Sequence, residues 1–237
     1  VIVLGIETAG PLGSLALLMG DGERKEVQFK SAGKLGAELA PTVQRLLKEA
    51  GLGPDSPPDL VVVDMGPGSY TGLRIGLAAA KGLAFAWNRP LLGISAPEAL
   101  STRVPEAPQV LCAMDASRGE VWAALFQRRS DGRLDLVEPG ELYTPAVLSQ
   151  RLTVPTVVVG DAAEAVVDDS RGIVAASQPV WPSALQVAEL GRRRFMAGAR
   201  DEGLDMCPIY YRPNEAEEQR RQRSMKEKGG KKRSRRG

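Results

Sequence analysis

DLVVVDMGPGSYTGLRIGLAAAKGLAFA, residues Asp59 to Ala86, reads as a strand, a glycine-rich turn and a helix in succession. Leu60-Val61-Val62-Val63 is a short, unbroken apolar run rich in β-branched residues, the pattern of a strand covered on both faces. Met65-Gly66-Pro67-Gly68 supplies the turn, and Ser69 stands at an N-cap position. The spacing then predicts a helix from Tyr70 to Ala86.

That helix carries two rows of small residues. Gly72, Gly76 and Ala80 recur every fourth position and share one side, while Ala78, Gly82 and Ala86 make a second row. Each glycine inside a helix costs about 0.5–1 kcal/mol relative to alanine. Close approach of another backbone is the compensation such rows permit; the best-known cases lie in membranes, but the steric argument holds in water. The expectation is a helix pressed on the helix Leu35–Ala50, the two together meeting an equivalent pair of a partner. Gly72, Gly76 and Ala80 permit that close approach, with Leu73, Ile75, Leu77 and Leu83 adding apolar area; spacing alone does not divide these residues between partner and sheet. On this reading Gly76→Leu breaks pairing and leaves the fold intact.

The chain has 237 residues, of which 43% are hydrophobic and 25% charged, ordinary values for a globular protein with a real core. No apolar run reaches the roughly 18 residues of a membrane span, and no secretory signal is visible. Cys112 and Cys207 lie far apart in apolar surroundings, which argues against a disulfide framework and for a cytoplasmic location. The absence of histidine removes His-ligated metal sites, Ser-His-Asp triads and Cys-His dyads together. Arg212 to Gly237 holds eleven Lys/Arg against four Asp/Glu, whereas the remainder holds twenty against twenty-five. A mildly acidic body therefore ends in a strongly basic tail.

In chain order, Val1–Ile6, Ser14–Met19 and Arg24–Phe29 read as strands, the last two joined by the Asp21-Gly22 turn. Leu35–Leu52 has a helical period closed by Gly51 and Gly53, with Pro41 pointing to a start later than Leu35. Pro90–Ile94 is a further strand, and Ser95 with Glu98 forms a capping-box pattern for a helix to Leu100. This is the order of a ribonuclease H-like α/β unit. The pattern then restarts: strands at 109–114, 120–127 and 134–137, a helix at 144–152 and a fourth strand at 155–160. We divide the chain into a first lobe (1–104), a second lobe (105–182), a C-terminal helix and return segment (183–211) and a disordered basic tail (212–237).

Two constellations have chemical readings beside plain ones. Gly66, Gly68, Ser69, Thr71 and Arg74 sit where strand meets helix and are candidate phosphate contacts. The loop is neither a Walker A motif nor a G-x-G-x-x-G fingerprint, and its plain reading is a turn with an N-cap. Glu7, Asp64 and Asp115 each end a strand, where three acids can bind Mg²⁺. That keeps a Mg²⁺-dependent nuclease or ATPase as a rival reading. In the tail, Arg220, Arg221, Arg223, Lys231, Lys232 and Arg233 are candidate nucleic-acid contacts of the salt-dependent kind; the plain reading is a solvated, disordered end.

Asp64 to Leu77, with Ala80-Lys81-Gly82-Leu83, resembles the signature of the TsaB family, also called YeaZ. Leu4–Thr8, Gly93–Leu100, Met114–Trp122 and Pro208–Pro213 extend the resemblance over Val1 to Pro213. It implies two tandem ribonuclease H-like lobes of the actin/hsp70/sugar-kinase (ASKHA) type, with no catalytic residue, metal or cofactor of its own. It implies pairing with TsaD, which transfers threonylcarbamoyl to an adenosine beside the anticodon of tRNAs reading ANN codons. TsaE joins them, ATP and Mg²⁺ are used by the complex, and a homodimer forms when TsaD is absent. The implied partner surface comprises Leu39, Val43, Leu46, Gly72, Leu73, Gly76, Leu77, Ala80 and Leu83. Two departures stand out: Lys34–Pro41 lacks the family's histidine-containing motif, and Glu7 replaces the aspartate of actin-like ATPases. Beside the nuclease or ATPase, a freestanding homodimeric scaffold is the other rival.

Overall fold

The computed structural model describes residues 1–30, 35–104, 107–152, 154–176 and 181–212. The tail candidates Arg220, Arg221, Arg223, Lys231, Lys232 and Arg233 lie outside them. Strands β1 (Val3–Glu7), β2 (Leu12–Leu18) and β3 (Arg24–Lys30) precede helix α1 (Leu35–Glu49), and β4 (Leu60–Asp64), α2 (Tyr70–Trp87), β5 (Leu91–Ile94) and α3 (Ala96–Ser101) follow. The second half runs β6 (Gln109–Asp115), β7 (Val121–Arg128), β8 (Leu134–Tyr143), α4 (Pro145–Arg151), β9 (Thr156–Val159) and β10 (Ile173–Ala175), then α5 (Ala184–Met196).

The first sheet has the order β3-β2-β1-β4-β5 and the second, read from the matching edge, β8-β7-β6-β9-β10. In each, the first strand of the unit pairs antiparallel with the second and parallel with the fourth. The first sheet is covered on both faces, which explains the unbroken apolar runs of β1 and β4. Alternation along β4 divides its side chains. Val61 and Val63 join Leu39, Val43, Leu46, Leu77 and Ala80 under α1 and α2. Leu60 and Val62 join Val187, Ala188 and Leu190 of α5 on the opposite face.

Several boundaries differ from expectation. Helix α1 runs through Pro41, which is exposed, and begins no later than Leu35; in the same turn Thr42 Oγ1 donates to the Glu38 carbonyl at 2.7 Å. Ser95 makes no side-chain cap hydrogen bond, and Glu98, the other half of the expected box, takes both its oxygens to Arg194 of α5 at 2.6 Å. The capping box sits on α5, where Ser183 and Gln186 cap one another reciprocally. Strand β8 continues six residues past Val137 to Tyr143, through Pro139 and Gly140. Gly140 lies against the Trp122 indole, where a Cβ would collide with the ring. Strand β10, missed in the sequence, is only three residues long.

Candidate functional site

Helices α1 and α2 lie side by side on the first sheet. Ser69 caps α2, accepting from the Gly72 N–H at 3.2 Å, and Asn88 ends it in the left-handed region with φ 52°. Between these caps the two small-residue rows have opposite surroundings. Gly72 and Gly76 are buried against Thr8, which follows β1: a Cβ on Gly72 would strike the Thr8 carbonyl, and one on Gly76 its hydroxyl. Ala80 is fully buried in the same core. Gly82, in the other row, has no atom within 4 Å of its Cβ position.

This corrects the assignment of the 72/76/80 row to a contact between chains. Those glycines allow α2 to approach its own sheet, so Gly76→Leu would strike the fold itself. Leu46, Leu73 and Leu77 are likewise buried inward, between 1 and 5% exposed. Of the nine predicted interface residues, Leu39, Val43 and Leu83 line a groove between α1 and α2, Leu83 half-buried and the other two nearly enclosed at 3% exposure. That groove has a volume of about 630 Å³ and is completed by Leu47, Leu52, Ala79, Gly82 and Trp87, with Gln44 and Lys48 at its edge. Of the second small-residue row only Gly82 lines this groove; Ala78 and Ala86 are exposed outside it.

The glycine loop is closed by its own chain. The Gly66 N–H donates to Asp64 Oδ1 at 2.8 Å, the Ser69 N–H to the Ala9 carbonyl at 2.9 Å, and the Gly72 N–H to Ser69. These three amides are engaged internally and do not form a phosphate cradle. Gly68 packs on Ala9, Thr71 is exposed, and Arg74 turns to Tyr70 and Tyr210. Gly66, at φ 87°, turns the chain sharply enough for its carbonyl to accept from the Ala96 N–H at 2.8 Å.

The three acids do not converge. Among the described residues no group of three or more His, Cys, Asp or Glu side chains is placed to hold a metal ion. Glu7 and Asp64 are enclosed at 0 and 1% exposure, whereas Asp115 is exposed. Glu7 Oε1 accepts from the Ala9 and Gly10 N–H groups at 2.6 and 2.8 Å, while Glu7 Oε2 and Asp64 Oδ2 find no hydrogen-bond partner. Burial, and then the neighbouring Asp64, push Glu7 well above the usual carboxylate range. Burial pushes Asp64 up to about 7 against the pull of the Gly66 N–H. Asp115 is held apart in the second unit, its N–H donating to Asp161 and its Oδ1 accepting from Ser117.

The fold and site define a two-sheet α/β protein with an apolar groove between two helices of its first unit. A family model described as TsaD, tRNA N6-adenosine threonylcarbamoyltransferase, matches residues 32–151. The tRNA threonylcarbamoyladenosine biosynthesis protein TsaB of Escherichia coli is 31% identical over 160 residues, covering 64% of this chain and 69% of that protein. Its Haemophilus influenzae counterpart is 27% identical over 222 residues, 89% of this chain and 93% of that protein. The solved structure of YeaZ from Pseudomonas aeruginosa superposes with a TM-score of 0.72 at 26% identity, covering 88% of this chain and 99% of the other. The chain belongs to the TsaB (YeaZ) family. Among the described residues no helix is long and apolar enough to cross a membrane.

Proposed function

We propose that this chain is the non-catalytic subunit of the assembly that adds threonylcarbamoyl to tRNA, and that it binds and orders a TsaD-type catalytic subunit. The observation that carries the reading is the open groove between α1 and α2, lined by Leu39, Val43, Leu47, Ala79, Leu83 and Trp87. An apolar-lined groove open between two helices favours a protein partner, and Gly82 with Ala79 lets a helix come close. The names of the relatives supply the pathway, and the matching strand orders of the two sheets support an ASKHA-type pair of lobes divided near residue 104. ATP and Mg²⁺ are then used by the complex, with TsaE joining it, in the cytoplasm. In the absence of TsaD the same groove faces its counterpart on a second copy.

The test is co-purification with a TsaD-type protein, followed by reconstitution of tRNA modification with and without this chain. Modification that depends on the chain, with no turnover by the chain alone, is the expected result. A purified chain that cleaves nucleic acid or hydrolyses ATP unaided would overturn it. We assign the basic segment 214–237 to salt-dependent contact with tRNA: its deletion should weaken tRNA binding at low salt and leave the heterodimer intact.

A further inference from the structure

Residues 199–212 follow α5 and return along the first sheet to the second unit. At the start of β5 they flank Leu91, whose N–H donates to Asp201 Oδ1 at 2.8 Å and whose carbonyl accepts from the Glu202 N–H at 3.0 Å. Met206 then enters the core beneath α2, and Lys81 of α2 donates from Nζ to its carbonyl at 2.7 Å. The Ile209 N–H donates to the Met65 carbonyl at 2.7 Å. Tyr210 meets the first turns of α2, where Arg74 Nε donates to its hydroxyl at 3.2 Å and the Tyr70 ring lies 4.9 Å away. The last two residues belong to the second unit's surroundings. The Tyr211 ring stands 6.1 Å from that of Trp122, and Arg212 pairs with Glu120 and reaches the Ser117 carbonyl at 3.5 Å.

Both cations of α2, Arg74 and Lys81, are thus directed to this one segment. Its two ends differ in quality. Along the first unit it is hydrogen-bonded at Glu202, Met206 and Ile209, and Met206 is buried. At the far end the Tyr211 hydroxyl and Arg212 Nε are buried without a hydrogen-bond partner, which costs free energy. That end also holds a turn in which Ser117, Arg118 and Gly119 have φ of 61°, 60° and 75°. The first two carry side chains that disfavour this region, and such backbone persists only while its surroundings hold it. Asp115 Oδ1 does so from one side, accepting from the Ser117 N–H, and Arg212 from the other. The far end is therefore the part that yields first when the segment shifts. The two units also meet through α3, whose Ala96 and Leu100 pack with Val110 and Met114, but that cluster includes no residue of α2.

We propose that residues 199–212 are a strap that couples α2 to the turn at 117–120 of the second unit. Loosening either end loosens the other, because the coupling is reciprocal. An event on α2, including occupation of the groove it shares with α1, is then felt at a turn it does not touch. The coupling runs through α2 itself, so it holds whatever fills that groove, and its test needs no partner.

Hydrogen exchange of the full chain, followed amide by amide by NMR, is the experiment. At the turn the readouts are the Ser117 and Glu120 amides, bonded to Asp115 and to the Ser117 carbonyl; on the strap the readout is Ile209. Arg74→Gln/Lys81→Met removes the holds of α2 on the strap and should speed exchange at all three by about tenfold. Amides of β1 and β9 should keep their rates. Glu120→Gln, made in the second unit, should speed exchange at Ile209 in return. Thr71→Ala, exposed on the same helix, should leave strap and turn unchanged. Arg74→Gln alone, at an exposed position, should give a smaller change of the same pattern, and it decides the matter if the double variant does not fold. Unchanged exchange at the turn in the Arg74 variants would overturn the strap. So would equal acceleration of every amide, or the same response to Thr71→Ala.

Discussion

Thr8 and Gly76 are in direct contact: the Thr8 hydroxyl donates to the Gly72 carbonyl at 2.8 Å and fills the space a Gly76 side chain would need. One hydroxyl thus joins the end of β1 to the first turns of α2, and the glycines are the condition for it. Gly76→Ala should therefore lower folding stability by about 1–3 kcal/mol, the usual cost of forcing atoms into a filled site. Gly82→Ala should raise it by about 0.5–1 kcal/mol, since the new methyl meets nothing. Urea unfolding of the two variants checks this, and changes of the same sign would refute the assignment of helix faces.

The groove calls for a different substitution. Gly82→Glu places a charge on its floor without touching the core. Affinity for the TsaD-type partner should fall about a hundredfold or more, as an unpaired charge is desolvated at the contact. The thermal midpoint should stay within a few degrees of wild type. Sedimentation velocity measures the first quantity and calorimetry the second; undiminished association would show that the partner sits elsewhere.

Glu7 and Asp64 make stability depend on pH. Both hold their protons more tightly in the folded chain than in the unfolded one, Asp64 at about 7 against 3.8. Stability is accordingly greatest below about pH 4 for this pair and declines as pH rises towards 7. Glu26 also bears on Glu7, and the half-buried Tyr211 feels Asp64. Asp64→Asn keeps an oxygen for the Gly66 N–H and removes the charge. The variant should show a flatter profile between pH 5 and 8 and exceed the wild type at pH 8 by about 1–3 kcal/mol. Urea midpoints at pH 5, 6.5 and 8 decide the matter; a profile as steep as that of the wild type would exclude this pair as its source.

The two serine caps give a paired prediction. Ser183→Ala removes a working capping box and should cost about 1 kcal/mol. Ser95→Ala removes no cap hydrogen bond and should cost close to nothing. Thermal unfolding of both variants distinguishes the two sites.

Much of the fold was legible because its signals are local. The apolar run of Leu60–Val63, the Asp21-Gly22 turn and the Ser69 cap each depend on neighbours within a few residues. Where reading failed, a distant partner had intervened. Arg194 takes the Glu98 carboxylate, and β7 carries β8 through Pro139 and Gly140. Strand β10 escaped because Ile173-Val174-Ala175 is too short to show a period, though Gly172 before it marked the turn.

The sequence by itself determined that residues 70–86 form a glycine-bearing helix after a buried strand, and that this helix needs a close neighbour. It also determined the family, through motifs whose residues are contiguous. Only the tertiary structure decided which small-residue row meets the sheet and which is left open. The two rows lie roughly 120° apart around a helix of 3.6 residues per turn. Nothing in their spacing separates them; the hydroxyl of Thr8, brought from the far end of the unit by β1, does.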